Sequence, residues 1–187
     1  ESESRGLGDV YKRQVFTYIR RFQSKVFLLK IEDSLLEHSY FPLLMKDIVQ
    51  LHHSGIKIII VPGTRYTIDK HLKSAGEETE FFDGIRLTHE QALPYVKLAA
   101  MEVTQVIISH LSANSANGLM GNWIKARSLG VENGIDYKHT GSIDSIKIDL
   151  IEELLEDGFI PIVPNIGWNT SGLSLIHISE PTRLGFI

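Results

Sequence analysis

The stretch VPGTRYTID, Val61 to Asp69, begins where the β-branched run Ile58-Ile59-Ile60-Val61 ends, and its reading decides the fold. A short apolar β-branched run is the mark of a buried strand. Gly63 then supplies a turn, and Thr64 stands at the N-cap of a helix carrying Ile68 and Leu72 on one side, until Gly76 stops it. Strand, glycine turn and helix are the layout of phosphate-binding loops, because the first backbone N–H groups of a helix and its dipole favour an anion. Two readings of Gly63 stand at this point, a plain turn and an anion loop. Arg65, at the first helical position, adds a forked donor suited to a carboxylate or phosphate, or else is a solvated surface arginine.

Upstream, KVFLLKI (Lys25 to Ile31) is a second buried strand, and Leu44, Ile48 and Leu51 recur at helical spacing between Ser39 and Ser54, with Gly55 as the stop. Further upstream, Val15, Phe16, Ile19 and Phe22 place one apolar face on a short helix. Downstream, Thr88 with Gln91 reads as a capping box before a long helix through Val96, Ala100, Val103 and Ile107, which Pro94 should kink. WIKARS and SIDSIK, between Gly121 and Lys147, alternate and are joined by a Gly- and Asp-rich stretch, which predicts a hairpin excursion. A helix from Ile148 to Asp157 and the strand FIPIV return to the sheet. Strands alternating with helices through short connections predict parallel strands with right-handed crossovers, hence an α/β fold with a three-layer α/β/α sandwich.

The 187 residues carry a formal net charge of −4, and no block of Lys and Arg interleaved with aromatics is present to neutralise a nucleic-acid backbone. No apolar run approaches the roughly twenty residues that span a bilayer. The absence of cysteine rules out disulfides and thiolate metal sites and fits a reducing, cytoplasmic compartment. His52-His53 end a helix, and His71, His89, His110 and His139 have no partner at metal spacing, so no metal site is expected. There is no Gly-x-Ser-x-Gly elbow, no triad and no catalytic residue to assign. Trp123 and Trp168 read as packing residues.

The two ends follow a different logic. Leu173 to Arg183 (LSLIHISEPTR) back-translates to a transposase-type sequencing adapter, and the reverse complement of that DNA, in one frame, translates to Ser4 to Gln14 (SRGLGDVYKRQ). The expectation is therefore that residues 1–14 and 173–187 are adapter-derived and that 15–172 is one incomplete domain cut by library construction. Setting both ends aside takes away four basic and four acidic residues and leaves the net charge at −4.

Three further residues bear on the loop. Lys30 is followed by Ile31-Glu32-Asp33, where nucleotide-binding folds of this type place glycines so that a phosphate can approach the backbone. If both carboxylates faced a phosphate, each repulsion at about 4 Å and an effective dielectric near 20 would be on the order of 4 kcal/mol. The alternative is that Glu32 and Asp33 point to water and leave the loop unused. Either arrangement disfavours phosphoryl transfer. Arg86, in DGIRLT, sits between a glycine and the expected Thr88 cap and is read either as a ligand-binding arm over the same sheet edge or as a structural arginine.

Taken together, GTRYTID after the second strand, DGIRLT, GNWIKARSLGVENGIDYKHTG and DGFIPIVPNIG resemble the amino-acid-kinase-like domain of the bacterial N-acetylglutamate synthase family, over Val15 to Gly172. The first matches the pattern G-x-R-x-x-I-D, where acetylglutamate kinases carry a His-Gly-Gly-Gly run. The resemblance implies a carbamate-kinase-like sandwich that has lost kinase activity, ahead of an acetyltransferase domain that takes acetyl-CoA and L-glutamate in arginine biosynthesis. It implies L-arginine as an allosteric inhibitor, and a homo-oligomer built through the helix around Phe16, Ile19 and Phe22. It places Lys30, Gly63, Thr64, Arg65 and Arg86 along the old substrate cleft, with no cofactor in this part of the chain, which is expected to be inactive alone. Glu32-Asp33 departs from the Gly-Gly usual in that family. An amino-acid kinase and a non-catalytic arginine-binding regulator are the competing readings.

Overall fold

A computed structural model describes residues 21–169 and 175–178. The expected helix from Val15 lies outside the described residues except for Arg21 and Phe22, where Phe22 meets Phe27 edge to face at 5.5 Å.

Strands β1 (Val26–Ile31), β2 (Lys57–Pro62), β5 (Asn117–Met120) and β10 (Phe159–Ile162) form a parallel sheet in the order β1-β2-β10-β5. The register pairs Lys30 with Val61 and Ile31 with Pro62, so β1 and β2 end side by side. Helices α1 (Phe41–His53), α2 (Arg65–Ala75), α3 (Leu93–Ala113) and α4 (Ile148–Glu156) complete the layers. Alternation along the strands explains the arrangement. Ile58 and Ile60 point to one face, where they are buried with Met45 and Ile48 of α1 and Val103, Ile107 and Leu111 of α3. Ile59 points to the other, toward Ile151 and Leu155 of α4 and Trp123. The result is the predicted three-layer α/β/α sandwich. A smaller cluster joins Ile68 and Leu72 of α2 to Val96, Ala99 and Ala100 of α3. Gly76 ends α2 in the left-handed region (φ 73°), its N–H closing on the carbonyls of Leu72 and Lys73.

Between α2 and α3 a ribbon of β3 (Glu80–Phe82) and β4 (Ile85–Leu87) rises over the sheet edge. The expected hairpin is present as antiparallel β6 (Ile124–Ser128) and β9 (Thr140–Ile146), with a nested two-residue ribbon of β7 (Val131–Glu132) and β8 (Ile135–Asp136) at its tip. β11 (Ile166–Trp168) and β12 (Leu175–Ile178) close β6 and β9 into a small four-stranded barrel, with β12 antiparallel to β11 and parallel to β9. β12 falls within the residues set aside as adapter-derived; its backbone nonetheless takes a ladder position.

The start of α3 differs from expectation. The helix begins at Leu93 with Ala92 at the N-cap, and Pro94 lies within its first turn, where a proline deprives the helix of no hydrogen bond. No capping box forms, because Thr88 is drawn into a buried tertiary network: its N–H donates to Thr140 Oγ1 at 3.0 Å.

Candidate functional site

In a parallel α/β sheet the ligand crevice lies beyond the carboxyl ends of the strands. Here that edge is formed by the ends of β1 and β2, the turn Gly63-Thr64, the first turn of α2 and the β3–β4 ribbon. Gly63 is buried in the turn and its N–H donates to the Ile31 carbonyl at 2.7 Å, which ties the two strand ends together. Thr64 is the N-cap residue and is fully buried, yet its side chain makes no capping hydrogen bond and its hydroxyl oxygen has no partner.

The capping is done from another element. Asp33, in the single 3-10 turn Asp33–Leu35 after β1, is 3% exposed, and its Oδ2 accepts the N–H of Thr67 at 2.6 Å. A carboxylate at the N-terminus of α2 satisfies an orphan donor and meets the positive end of the helix dipole. This corrects the reading that Asp33 points to water: the helix dipole and an otherwise unmade backbone hydrogen bond draw it inward. Glu32 stays exposed and pairs with Lys30 at 3.0 Å.

Arg86, on β4, is buried beneath the ribbon. Its guanidinium donates to Asp69 Oδ1 at 2.6 Å and Thr79 Oγ1 at 3.2 Å, and lies 4.7 Å from the centroid of Phe81. Arg65 is exposed and sits 4.9 Å from the same ring. The five residues singled out from the sequence thus fall into two groups along one edge. Lys30, Gly63 and Thr64 sit at the ends of β1 and β2, and Arg65 and Arg86 share Phe81. Asp33, Asp69 and Phe81, which organise both groups, escaped the sequence reading. Asp69 lies within the quoted G-x-R-x-x-I-D pattern, and its position on the face of α2 four residues from Arg65 was the available signal.

Beside Asp33 a hollow of about 130 Å³ is lined by Glu37, Tyr66, Lys70 and Glu102. Lys70 and Glu37 pair at 2.8 Å. The hydrogen bond from Lys70, then its charge, holds the Glu37 carboxyl below its usual value, and the same pairing holds Lys70 up. His71 meets Glu102 at 2.7 Å, and His89 meets Glu80 at 3.0 Å and the Lys138 amine. Among the described residues no group of three or more His, Asp or Glu side chains is placed to hold a metal ion, and no helix is long and apolar enough to cross a membrane.

A larger cleft, about 440 Å³, opens on the α4 face of the sheet. Val26, Leu28, Ile59, Val61, Ile146 and Ile148 are among its lining side chains. Val26 and Leu28 are 51% and 56% exposed although they stand on a sheet strand, because α4 covers β10 and β2 and leaves β1 open.

A parallel sheet sandwiched by helices, with a glycine turn and helix N-terminus at its carboxyl edge, defines a domain with the architecture of small-molecule kinases. Residues 25–180 match the profile of the Amino acid kinase family, and the chain belongs to that family. Among curated proteins, 90% of the chain is 32% identical over 177 residues to the amino-acid acetyltransferase of Escherichia coli (strain K12), of which it covers 40%. The corresponding protein of Vibrio cholerae is 29% identical over the same length. The chain spans about two fifths of the length of these curated relatives. Among solved structures, N-acetylglutamate synthase from Neisseria gonorrhoeae superposes with a TM-score of 0.83 at 25% identity in its complex with coenzyme A and N-acetyl-glutamate, covering 91% of this chain and 40% of that one. Its complex with coenzyme A and L-arginine has a TM-score of 0.82 at 24% identity, covering 89% and 41%.

Proposed function

We propose that this chain is the kinase-like part of an N-acetylglutamate synthase, whose parent transfers the acetyl group of acetyl-CoA to the α-amine of L-glutamate in the cytoplasmic synthesis of arginine. The observation that carries the reading is that nine tenths of the chain aligns with two fifths of proteins named amino-acid acetyltransferase. Asp33 on the first turn of α2 supports it from the geometry, since the anion position of the loop is taken by the protein's own carboxylate and phosphoryl transfer is disfavoured.

In this reading residues 15–172 are the natural portion and 1–14 and 173–187 are adapter-derived. The parent is a homo-oligomer joined through the helix around Phe16, Ile19 and Phe22. Lys30, Gly63, Thr64, Arg65 and Arg86 line a vestigial substrate cleft, with Arg86 as a wall held by Asp69. The acetyltransferase chemistry lies in residues this chain does not contain, and the chain alone is inactive. Feedback by L-arginine is part of the proposal, because one solved relative is complexed with that amino acid.

The test is an uninterrupted read of the source DNA across the Gly172 codon, followed by assay of the complete protein. Formation of acetylglutamate from acetyl-CoA and L-glutamate is the expected result. ATP-dependent phosphorylation of acetylglutamate would replace this reading with an amino-acid kinase. Binding of arginine by a complete protein that lacks an acetyltransferase domain would replace it with a non-catalytic regulator.

A further inference from the structure

The N–H of Thr67, third residue of α2, is the donor that an N-cap side chain ordinarily takes. Thr64 stands at that N-cap but leaves the donor to Asp33, which reaches it at 2.6 Å across 34 residues of sequence. Two facts follow at one helix start. A carboxylate is already seated there, 3% exposed, and the Thr64 hydroxyl is fully buried with no hydrogen-bond partner. An unsatisfied hydroxyl beside helix N–H groups is what the oxygens of a tetrahedral anion would engage. The adjoining hollow adds a field of the wrong sign for a second anion: Asp33, Glu37 and Glu102 line it against one cation, Lys70.

We propose that Asp33 is a specificity-determining residue: its own carboxylate is the anion that the α2 N-terminus holds, and this closes the loop to external phosphate. The inference rests on reading the loop as a former phosphate-binding turn. Removing the charge and bulk at position 33 opens the loop to inorganic phosphate, with Thr64 and the first turn of α2 as its donors. The ligand class excluded in the native chain is therefore the phosphate group itself, whether free or carried on a nucleotide.

The experiment titrates the full chain and its Asp33→Gly and Asp33→Ser variants with inorganic phosphate, ionic strength being held constant with sodium chloride. Melting temperature and the backbone amide resonances of residues 63–67 are the readouts. The native chain is expected to show no saturable response. Each folded variant is expected to show saturable shifts of those amides and, for a Kd near about 1 mM, a rise in melting temperature of roughly 3–6 °C at about 10 mM phosphate. Saturable binding by the native chain overturns the proposal, and so does a folded variant that gives no response. If neither variant folds, the proposal also falls, because Asp33 then serves stability alone. Acetyl transfer by the complete protein is a separate readout, so its absence beside a phosphate-binding variant would remove the functional reading and leave the role of Asp33 intact.

Discussion

Replacing Arg86 by alanine separates a structural arginine from a ligand-binding arm, and the structure sets the size of the effect. The side chain is 4% exposed. A charge-assisted hydrogen bond such as that to Asp69 contributes about 1.5–3 kcal/mol, and the longer bond to Thr79 roughly 0.5–1. The contact with the Phe81 ring adds about 0.5–1 kcal/mol, and the two buried methylenes lost add about 0.8 each. Against this, the arginine recovers roughly 1.5–2 kcal/mol of rotamer entropy when it is removed. Asp69 adds little penalty of its own, since its side chain is 47% exposed and water takes the place of the guanidinium. The balance is a loss of about 2–4 kcal/mol for Arg86→Ala, and about 1–2 for Arg86→Lys, which keeps the charge and gives up the fork. Urea unfolding followed by fluorescence of the buried Trp123 reads this directly; with a slope near about 2 kcal/mol/M the alanine variant's midpoint falls by roughly 1–2 M. A loss below about 0.5 kcal/mol, the range of an ordinary surface substitution, would refute the structural reading and return Arg86 to the ligand-binding candidates.

Thr140→Val should cost about 2–4 kcal/mol, because Thr140 Oγ1 donates to the Arg86 carbonyl at 2.6 Å and accepts the Thr88 N–H at 3.0 Å in a fully buried position; a loss under about 1 kcal/mol in the same assay rejects that account. Lys70 holds Glu37 below its ordinary carboxylate value, so the contribution of Glu37 is present above its unfolded value and fades as pH falls through the folded one, while that of Lys70, raised, is present below its unfolded value and fades as pH rises through the folded one. Glu37→Gln should therefore make the acid limb of melting temperature against pH slightly shallower, with the difference abolished by about 0.5 M NaCl; superimposed limbs at low salt would exclude the pair. Leu28→Lys or Val26→Lys should reduce light scattering and dye binding to exposed apolar surface with little change in unfolding midpoint, since both side chains are more than half exposed; unchanged scattering and dye binding would show that this face does not govern association.

What could be read from the chain was whatever is local. The β-branched run before Gly63 gave β2, the spacing of Ile68 and Leu72 gave α2, and the alternation on either side of the Gly- and Asp-rich stretch gave the β6–β9 hairpin. The site depended on pairings across the sequence, Asp33 with Thr67 and Arg86 with Asp69, which no window contains. The miss at α3 has the same origin. Thr88-x-x-Gln91 is a sound capping signal in isolation, but Thr140 competes for the Thr88 N–H and wins by burying both residues. β12 was out of reach for a different reason: a short apolar run pairs with any open ladder whatever DNA encoded it.

Polar and apolar surfaces of the molecule stand in opposite states. Along the carboxyl edge of the sheet, where this class of fold holds its ligands, Lys30 is paired with Glu32, Asp33 with the Thr67 N–H, Arg86 with Asp69 and Lys70 with Glu37. A polar ligand entering there would have to displace a contact the protein already makes, losing most of what it gains. On the opposite face of β1 the side chains of Val26 and Leu28 remain more than half in water beside a cleft of about 440 Å³. Burial of apolar area yields about 25 cal/mol per Å² and requires no exchange of partners. The larger unrealised free energy of this chain therefore lies in covering the β1 face, and the balance favours association with further polypeptide over capture of a small anion at the loop.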